Sequence, residues 1–158
     1  MIIMKFKESD TEEIVALFYE TVHSVNLKDY AKKQLDAWAP KEERELKINT
    51  WRESLGKNIT FVAKIDDKIV GFSDMTYTGH LDRLYVHKDY QGQGVATALV
   101  HNLEAEAKKL NLLKIDTDAS ITAKAFFEHR GYHLIYSQTV ERVGITMTNF
   151  KMIKEIES

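Results

Sequence analysis

Residues 80–110 read HLDRLYVHKDYQGQGVATALVHNLEAEAKKL. A strand-like run, Leu81–Val86, leads through a polar spacer into Gln91-Gly92-Gln93-Gly94-Val95-Ala96. An amphipathic helix follows at once, with Val95, Leu99, Leu103, Ala107 and Leu110 on one stripe. Glycines let the backbone approach a ligand with no side chain in the way. The first amides of a helix have no internal acceptor and carry partial positive charge. Strand, glycine turn and helix start together make a seat for a phosphorylated ligand.

Upstream, Thr60–Ile65 and Lys68–Thr76 are β-branched and aromatic runs around Asp66-Asp67, a hairpin signal. Gly79–Val86 follows a tight Thr78-Gly79 turn, so the three runs form an antiparallel meander. Within the last run the apolar phase slips, Leu81 being odd while Leu84 and Val86 are even. A strand keeps one parity, so the slip predicts a β-bulge near Asp82-Arg83. Met1–Phe6 reads as a first strand, and Ser9 or Asp10 caps a helix running to Val25. Asn26-Leu27-Lys28 breaks that helix. Helical patterns then cover Tyr30–Trp38 and Pro40–Leu55, the second starting on the only proline and stopping at Gly56.

Downstream, Leu112–Thr117 reads as a strand. A helix separates it from Gly79–Val86, so the pair is expected to be parallel with a right-handed crossover. Thr122–Arg130 is a short helix ended by Gly131, and strands Tyr132–Val140 and Ile145–Met152 flank the Arg142–Gly144 turn. No repeat or linker divides the chain, and 158 residues are expected to form a single domain, 1–158.

Hydrophobic residues at 44% and charged residues at 29% are ordinary for a globular domain. A net charge of −2 argues against a nucleic-acid partner, which calls for a clustered basic surface. The absence of cysteine excludes disulfides, a thiol nucleophile and cysteine metal sites. No apolar run approaches the ~20 residues of a membrane span, and no signal-peptide core is visible. The expectation is a cytoplasmic domain without membrane attachment.

Three phosphate-binding patterns compete for the glycine turn. A nucleoside-triphosphate loop needs Gly-Lys-Ser/Thr, which the chain lacks. A dinucleotide fingerprint needs a small residue where Thr97 stands, and its loop leaves the strand directly, whereas His87-Lys88-Asp89-Tyr90 intervenes here. The third fits: Gln91-x-x-Gly94-x-Ala96 resembles the acetyl-CoA pyrophosphate loop of the GNAT superfamily of N-acetyltransferases, Gln/Arg-x-x-Gly-x-Gly/Ala. Ala125-Phe126-Phe127-Glu128-His129-Arg130-Gly131-Tyr132 is similar to that family's closing helix, and the order of elements matches as well.

The resemblance implies an α/β fold of three layers. Its sheet is mixed, mostly antiparallel, of about seven strands with one central parallel pair, and helices cover both faces. It implies acetyl-CoA as cosubstrate and direct acetyl transfer to the amine of a small molecule or peptide. Amides of Gln91, Gly92, Gln93, Gly94, Val95, Ala96 and Thr97 would hold the pyrophosphate. The backbone of Leu84, Tyr85 and Val86 would pair with the pantetheine arm like an added strand. Ser120 stands where an asparagine contacting the cofactor arm is common, and Phe126 and Phe127 complete the cofactor wall. An amide at the strand bulge would stabilise the oxyanion.

An alkyl ammonium must lose a proton before it attacks a thioester. His80 and Asp82, on the strand leading to the loop, are the candidate bases, and an imidazole ordinarily titrates near neutral pH. On the acid side the chain departs from the family. The tyrosine that many members place to protonate the leaving thiolate is Phe127 here, which leaves Tyr85 and Tyr132 as weaker acid candidates. That departure supports an alternative, a CoA-binding module with little or no catalysis. Tyr19, Glu20, His23, Tyr30, Trp38 and Tyr77 are the candidate acceptor residues, aromatic walls with nearby carboxylates that suit a cationic amine. His129 and His133 straddle Gly131 rather than sharing a helical turn, so no metal site is expected. A homodimer is compatible with the resemblance.

Overall fold

The computed structural model describes residues 1–157. Seven strands form one open sheet: β1 (Ile2–Lys5), β2 (Ile59–Ile65), β3 (Lys68–Met75), β4 (His80–Val86), β5 (Lys114–Ser120), β6 (His133–Arg142) and β7 (Ile145–Glu155). Their order is β1-β2-β3-β4-β5-β7-β6. Every neighbouring pair is antiparallel except β4 and β5. Five α-helices complete the fold: α1 (Thr11–Ser24), α2 (Lys32–Trp38), α3 (Arg44–Lys57), α4 (Val95–Lys109) and α5 (Ile121–His129). The expected mixed sheet with one central parallel pair is therefore observed, and α4 supplies the crossover that a parallel pair requires.

Helices cover both faces because the strands alternate. On one face Ile14, Phe18, Leu35 and Leu55 from α1–α3 pack against Val62 and Phe72 of the sheet. On the other, Leu99, Leu103 and Phe127 from α4 and α5 pack against Ile115 and Met152. Gly71 lets α4 lie close: a Cβ there would stand 2.8 Å from Cγ1 of Val95 and 3.2 Å from the Tyr85 carbonyl oxygen.

Two irregularities shape the centre of the sheet. Asp74 pairs with Arg83 while Met75 pairs with Leu81, so Asp82 is the extra residue of a β-bulge, at the phase slip. The parallel β4–β5 pairing consists of only His80↔Asp116 and Leu81↔Thr117. Beyond those pairs β5 follows β7 up to Ser120↔Asn149 and leaves β4 behind. The sheet splits there.

Local boundaries differ from the sequence reading at several elements: β5 is Lys114–Ser120 rather than Leu112–Thr117, β6 runs on to Arg142, and α2 starts at Lys32 rather than Tyr30. Gly56 lies inside α3, which runs to Lys57 and is capped at Asn58, whose amide donates to Ser54. Nothing surrounds a Cβ built at Gly56, so the glycine fills no turn. Pro40 sits before a short 3-10 turn, Lys41–Glu43, rather than inside α3. Strand β7 continues to Glu155, because β5 pairs with its last seven residues, Asn149–Glu155.

Candidate active site

The split between β4 and β5 opens a slot of about 440 Å³, within the size range of small-molecule sites. At one end stands the glycine loop. Gly92 and Gly94 have φ of 72° and 83°, left-handed values at which a side chain is strained. Gly94 immediately precedes α4, so the free amides of the first turn face the slot. The Gln91 side-chain nitrogen Nε2 donates to the Val86 carbonyl at 2.6 Å, which fixes the loop against the end of β4. His87 accepts from the Asp89 amide at 3.1 Å and shapes the spacer between strand and loop.

Of the expected cofactor residues, Leu84, Tyr85 and Val86 line the slot, as do Gln91, Gly92, Gly94, Val95, Ala96 and Thr97. Ser120, Phe126 and Phe127 line it from the β5 side. Gln93 does not: its side chain reaches back to the Asp89 carbonyl at 3.4 Å. The Ser120 hydroxyl accepts from the Ala123 amide and so caps α5.

Both candidate bases line the slot. Nδ1 of His80 lies 2.9 Å from Oδ1 of Asp116, its neighbour across the parallel pair. An ionised carboxylate only accepts, so Nδ1 carries the proton, and the neutral ring in this tautomer has its lone pair on Nε2. Lys151 of β7 donates to the other Asp116 oxygen at 2.6 Å. Burial pushes the Asp116 carboxyl up, but the hydrogen bonds from Lys151 and His80 outweigh it and hold the group below the usual carboxylate range. His80 also borders a second, smaller hollow with Thr78, Gly79, Lys114 and Asp116. Asp82 is the bulge residue, half exposed, with Arg83 at 3.5 Å.

The acid candidates fare differently. Tyr85 lines the slot, and burial among Phe18, Trp38 and Phe72 raises its phenol well above the ordinary tyrosine range. Tyr132 is not brought to the slot. It is 2% exposed behind Phe127, and its hydroxyl donates to Glu104 at 2.9 Å. Burial and the Glu104 charge raise it far above its usual range. Tyr132 is therefore not placed to protonate a thiolate in the slot.

Among the acceptor candidates, Tyr30 and Trp38 line the slot. The other four do not. Tyr19 donates to the Pro40 carbonyl at 2.7 Å, and His23 contacts the Ala39 carbonyl at 2.9 Å. Glu20 lies 3.3 Å from His87 and 3.7 Å from Lys88, and Tyr77 is exposed.

Sequence reasoning missed several slot residues. The Asn26–Lys28 break is a clasp: Asn26 donates to the Thr122 hydroxyl at 3.0 Å, and that hydroxyl donates to Asp29 at 2.8 Å. Tyr30 adds to it, accepting from the Ile121 amide and donating to the Thr148 carbonyl, both at 2.8 Å. Thus the α1–α2 connection bridges to α5 and β7. Asp116 and Arg142 were also missed; only the parallel register for the one, and a lone arginine beside a turn for the other, hinted at them.

A mixed sheet between two helical layers, split beside a glycine-capped helix start, is the frame of this slot. The family model "Acetyltransferase (GNAT) domain" matches residues 26–154. The chain is 34% identical over 150 residues to the N-acetyltransferase YafP of Escherichia coli K12, covering 95% of this chain and 93% of that one. A GCN5-related N-acetyltransferase from Rhodopseudomonas palustris superposes with a TM-score of 0.90 at 31% identity, covering 98% and 94% of the two chains. PaiA N-acetyltransferase of Thermoplasma acidophilum, solved in complex with coenzyme A, has the same fold, with a TM-score of 0.76, 18% identity and 98% of each chain covered. The chain belongs to the GNAT acetyltransferase family and is an N-acetyltransferase.

Proposed function

We propose that the protein transfers an acetyl group from acetyl-CoA directly to the amine of a small molecule or peptide, with His80 as the general base. The observation that carries this is the early end of the β4–β5 pairing beside Gly94 and the start of α4. The amides from Gln91 to Thr97 hold the pyrophosphate, and the free flank of β4 at Leu84–Val86 pairs with the pantetheine amides. Phe126, Phe127 and Ser120 face the arm from the β5 side.

His80 fits the base better than Asp82. Asp116 fixes its tautomer and orientation, whereas the half-exposed Asp82 leans on Arg83. The ammonium gives one proton to Nε2 of His80, the freed amine attacks the thioester carbonyl, and the nitrogen sheds its second proton to water as the intermediate collapses. The second hollow beside His80 offers the proton on Nε2 a way to solvent. Backbone amide at the Asp82 bulge stabilises the oxyanion, and collapse expels the thiolate. With a phenyl ring at Phe127, the thiolate leaves unprotonated or takes a proton from Tyr85 or water.

The other reading, a CoA-binding module with little catalysis, has only Phe127 in its favour, and it gives the His80–Asp116 pair no purpose. A thiol-release assay with acetyl-CoA over a panel of amines tests the proposal. Amine-stimulated release that His80→Ala depresses supports it, and release that no amine stimulates overturns it.

A further inference from the structure

One wall of the slot joins Tyr30, Trp38, Tyr85 and Met147 to the guanidinium-bearing Arg142. Arg142 ends β6, paired with Ile145 across the tight Val143-Gly144 turn, whose φ values are 51° and 74°. That hairpin holds it over the slot.

The slot's charges are unevenly matched. Asp118 is met by Lys151 at 3.7 Å and by Gln138, and Asp82 by Arg83 at 3.5 Å. Arg83 is further neutralised by buried Asp74 at 2.8 Å and stacks on Trp51. Lys47 lies over Phe18 and Trp51 at 5.2 and 5.1 Å. Burial lowers its ammonium; Glu43 opposes that, while Arg142 and Arg83 add to it. Neither Lys47 nor Arg142 forms an ion pair among the described residues. Among the described residues Arg142 is thus the one Lys or Arg that lines the slot, and it has no carboxylate of its own, whereas the slot's Asp82 and Asp118 each have a cation.

We propose, resting on the transferase reading above, that the acceptor is an amine bearing a carboxylate, which Arg142 binds while its apolar body lies against Trp38 and Tyr85. A guanidinium matches a carboxylate with two parallel N–H donors, and exposed Arg142 keeps those donors free of any carboxylate of the chain. Glu20, the carboxylate expected beside the acceptor from the sequence, does not line the slot and lies against His87 and Lys88.

Calorimetric titration of the CoA-loaded protein with 3-phenylpropionate and with 3-phenylpropionamide separates this from the transfer reaction, since neither probe carries an amine that can be acetylated. The acid is expected to bind at least ~10-fold more tightly than the amide, as a charge-assisted bond implies. Arg142→Gln is expected to abolish the difference and Arg142→Lys to keep part of it, with CoA affinity unchanged in both. In turnover, phenylalanine is expected to exceed its amide chiefly through a lower KM. Equal binding of acid and amide, no binding of the acid, or loss of CoA affinity in Arg142→Gln would each overturn the proposal. If the acid binds through Arg142 but no amine is acetylated, the seat stands and the transferase reading falls.

Discussion

Nδ1 of His80 meets Oδ1 of Asp116 at 2.9 Å across the shortest strand pairing in the sheet, and Lys151 holds the second carboxylate oxygen. The imidazole is therefore oriented by the sheet itself. His80→Ala is expected to lower kcat/KM by about 10²–10⁴-fold, the usual range for a lost general base. Asp116→Asn, which leaves a side chain of the same shape, is expected to lose at least ~10-fold, as orienting partners do. Both variants should keep the wild-type thermal stabilisation by acetyl-CoA. Unchanged pH–rate profiles in both would remove His80 from the reaction.

Tyr132→Phe distinguishes a structural phenol from a catalytic one. The hydroxyl is bound to Glu104, which also receives Arg130 at 2.7 Å and Lys154 at 3.0 Å. Turnover is expected to stay within twofold of wild type, while stability falls by about 0.5–1.5 kcal/mol for the lost hydrogen bond. A drop in kcat without a drop in the melting midpoint would restore Tyr132 as a proton donor.

Acetyl-CoA at about 100 times its Kd is expected to stabilise the fold by about 2.7 kcal/mol. For a chain of this length that corresponds to a rise of roughly 5–10 °C in Tm. Differential scanning fluorimetry reads it directly, and no shift at saturation would contradict the cofactor assignment.

Gly79 has φ of 98°, and a Cβ there would lie 2.6 Å from the Lys114 carbonyl oxygen. Gly79→Ala therefore strains the turn and pushes β5 from the start of β4. The backbone strain alone is worth about 1–3 kcal/mol. The substitution is expected to lower Tm and to speed hydrogen exchange at the Asp116 amide, which donates to the Gly79 carbonyl at 2.9 Å.

Asp74 makes stability depend on pH in a direction opposite to that of most carboxylates. Burial pushes its carboxyl up to about 6, although Arg83 and Asn58 pull the other way. The folded chain thus holds a proton over a range, from about 4 to 6, in which the unfolded chain has released it. Stability from this group is full below the unfolded value and is lost as pH rises through the folded one. The stability of wild type relative to Asp74→Asn is expected to fall between pH 4 and 6 and to level off near 7. Denaturant titrations at several pH values measure that difference, and a difference that rises with pH would show the group is not desolvated.

The parts of the site that the sequence displays are those built from neighbouring residues. Gln91–Thr97 forms its loop from its own glycines, so spacing was enough, and the phase slip at Leu81–Leu84 located the bulge because parity is a local rule. The slot is different: it arises where β5 turns to follow β7, a choice made by partners remote in sequence. Asp116 gains its role only from the register of the parallel pair. Tyr132, next to Gly131, looked placed for the site, yet its side chain points to Glu104 through a contact that no local pattern encodes. Glu20 and His23 lie on a helix that does border the slot, but their rotation about α1 turns them toward His87 and Ala39.

Between β4 and β5 the sheet is held by two residue pairs, while each half on its own is continuous. Mechanically the protein is two half-sheets, β1–β4 and β5–β7, joined by a short seam, by the Asn26–Thr122 and Tyr30 clasp, and by the apolar core that α4 lays across both. A molecule lying along both free flanks then works as part of the seam. Empty protein is expected to open first along this line, and loaded protein to unfold as one cooperative unit.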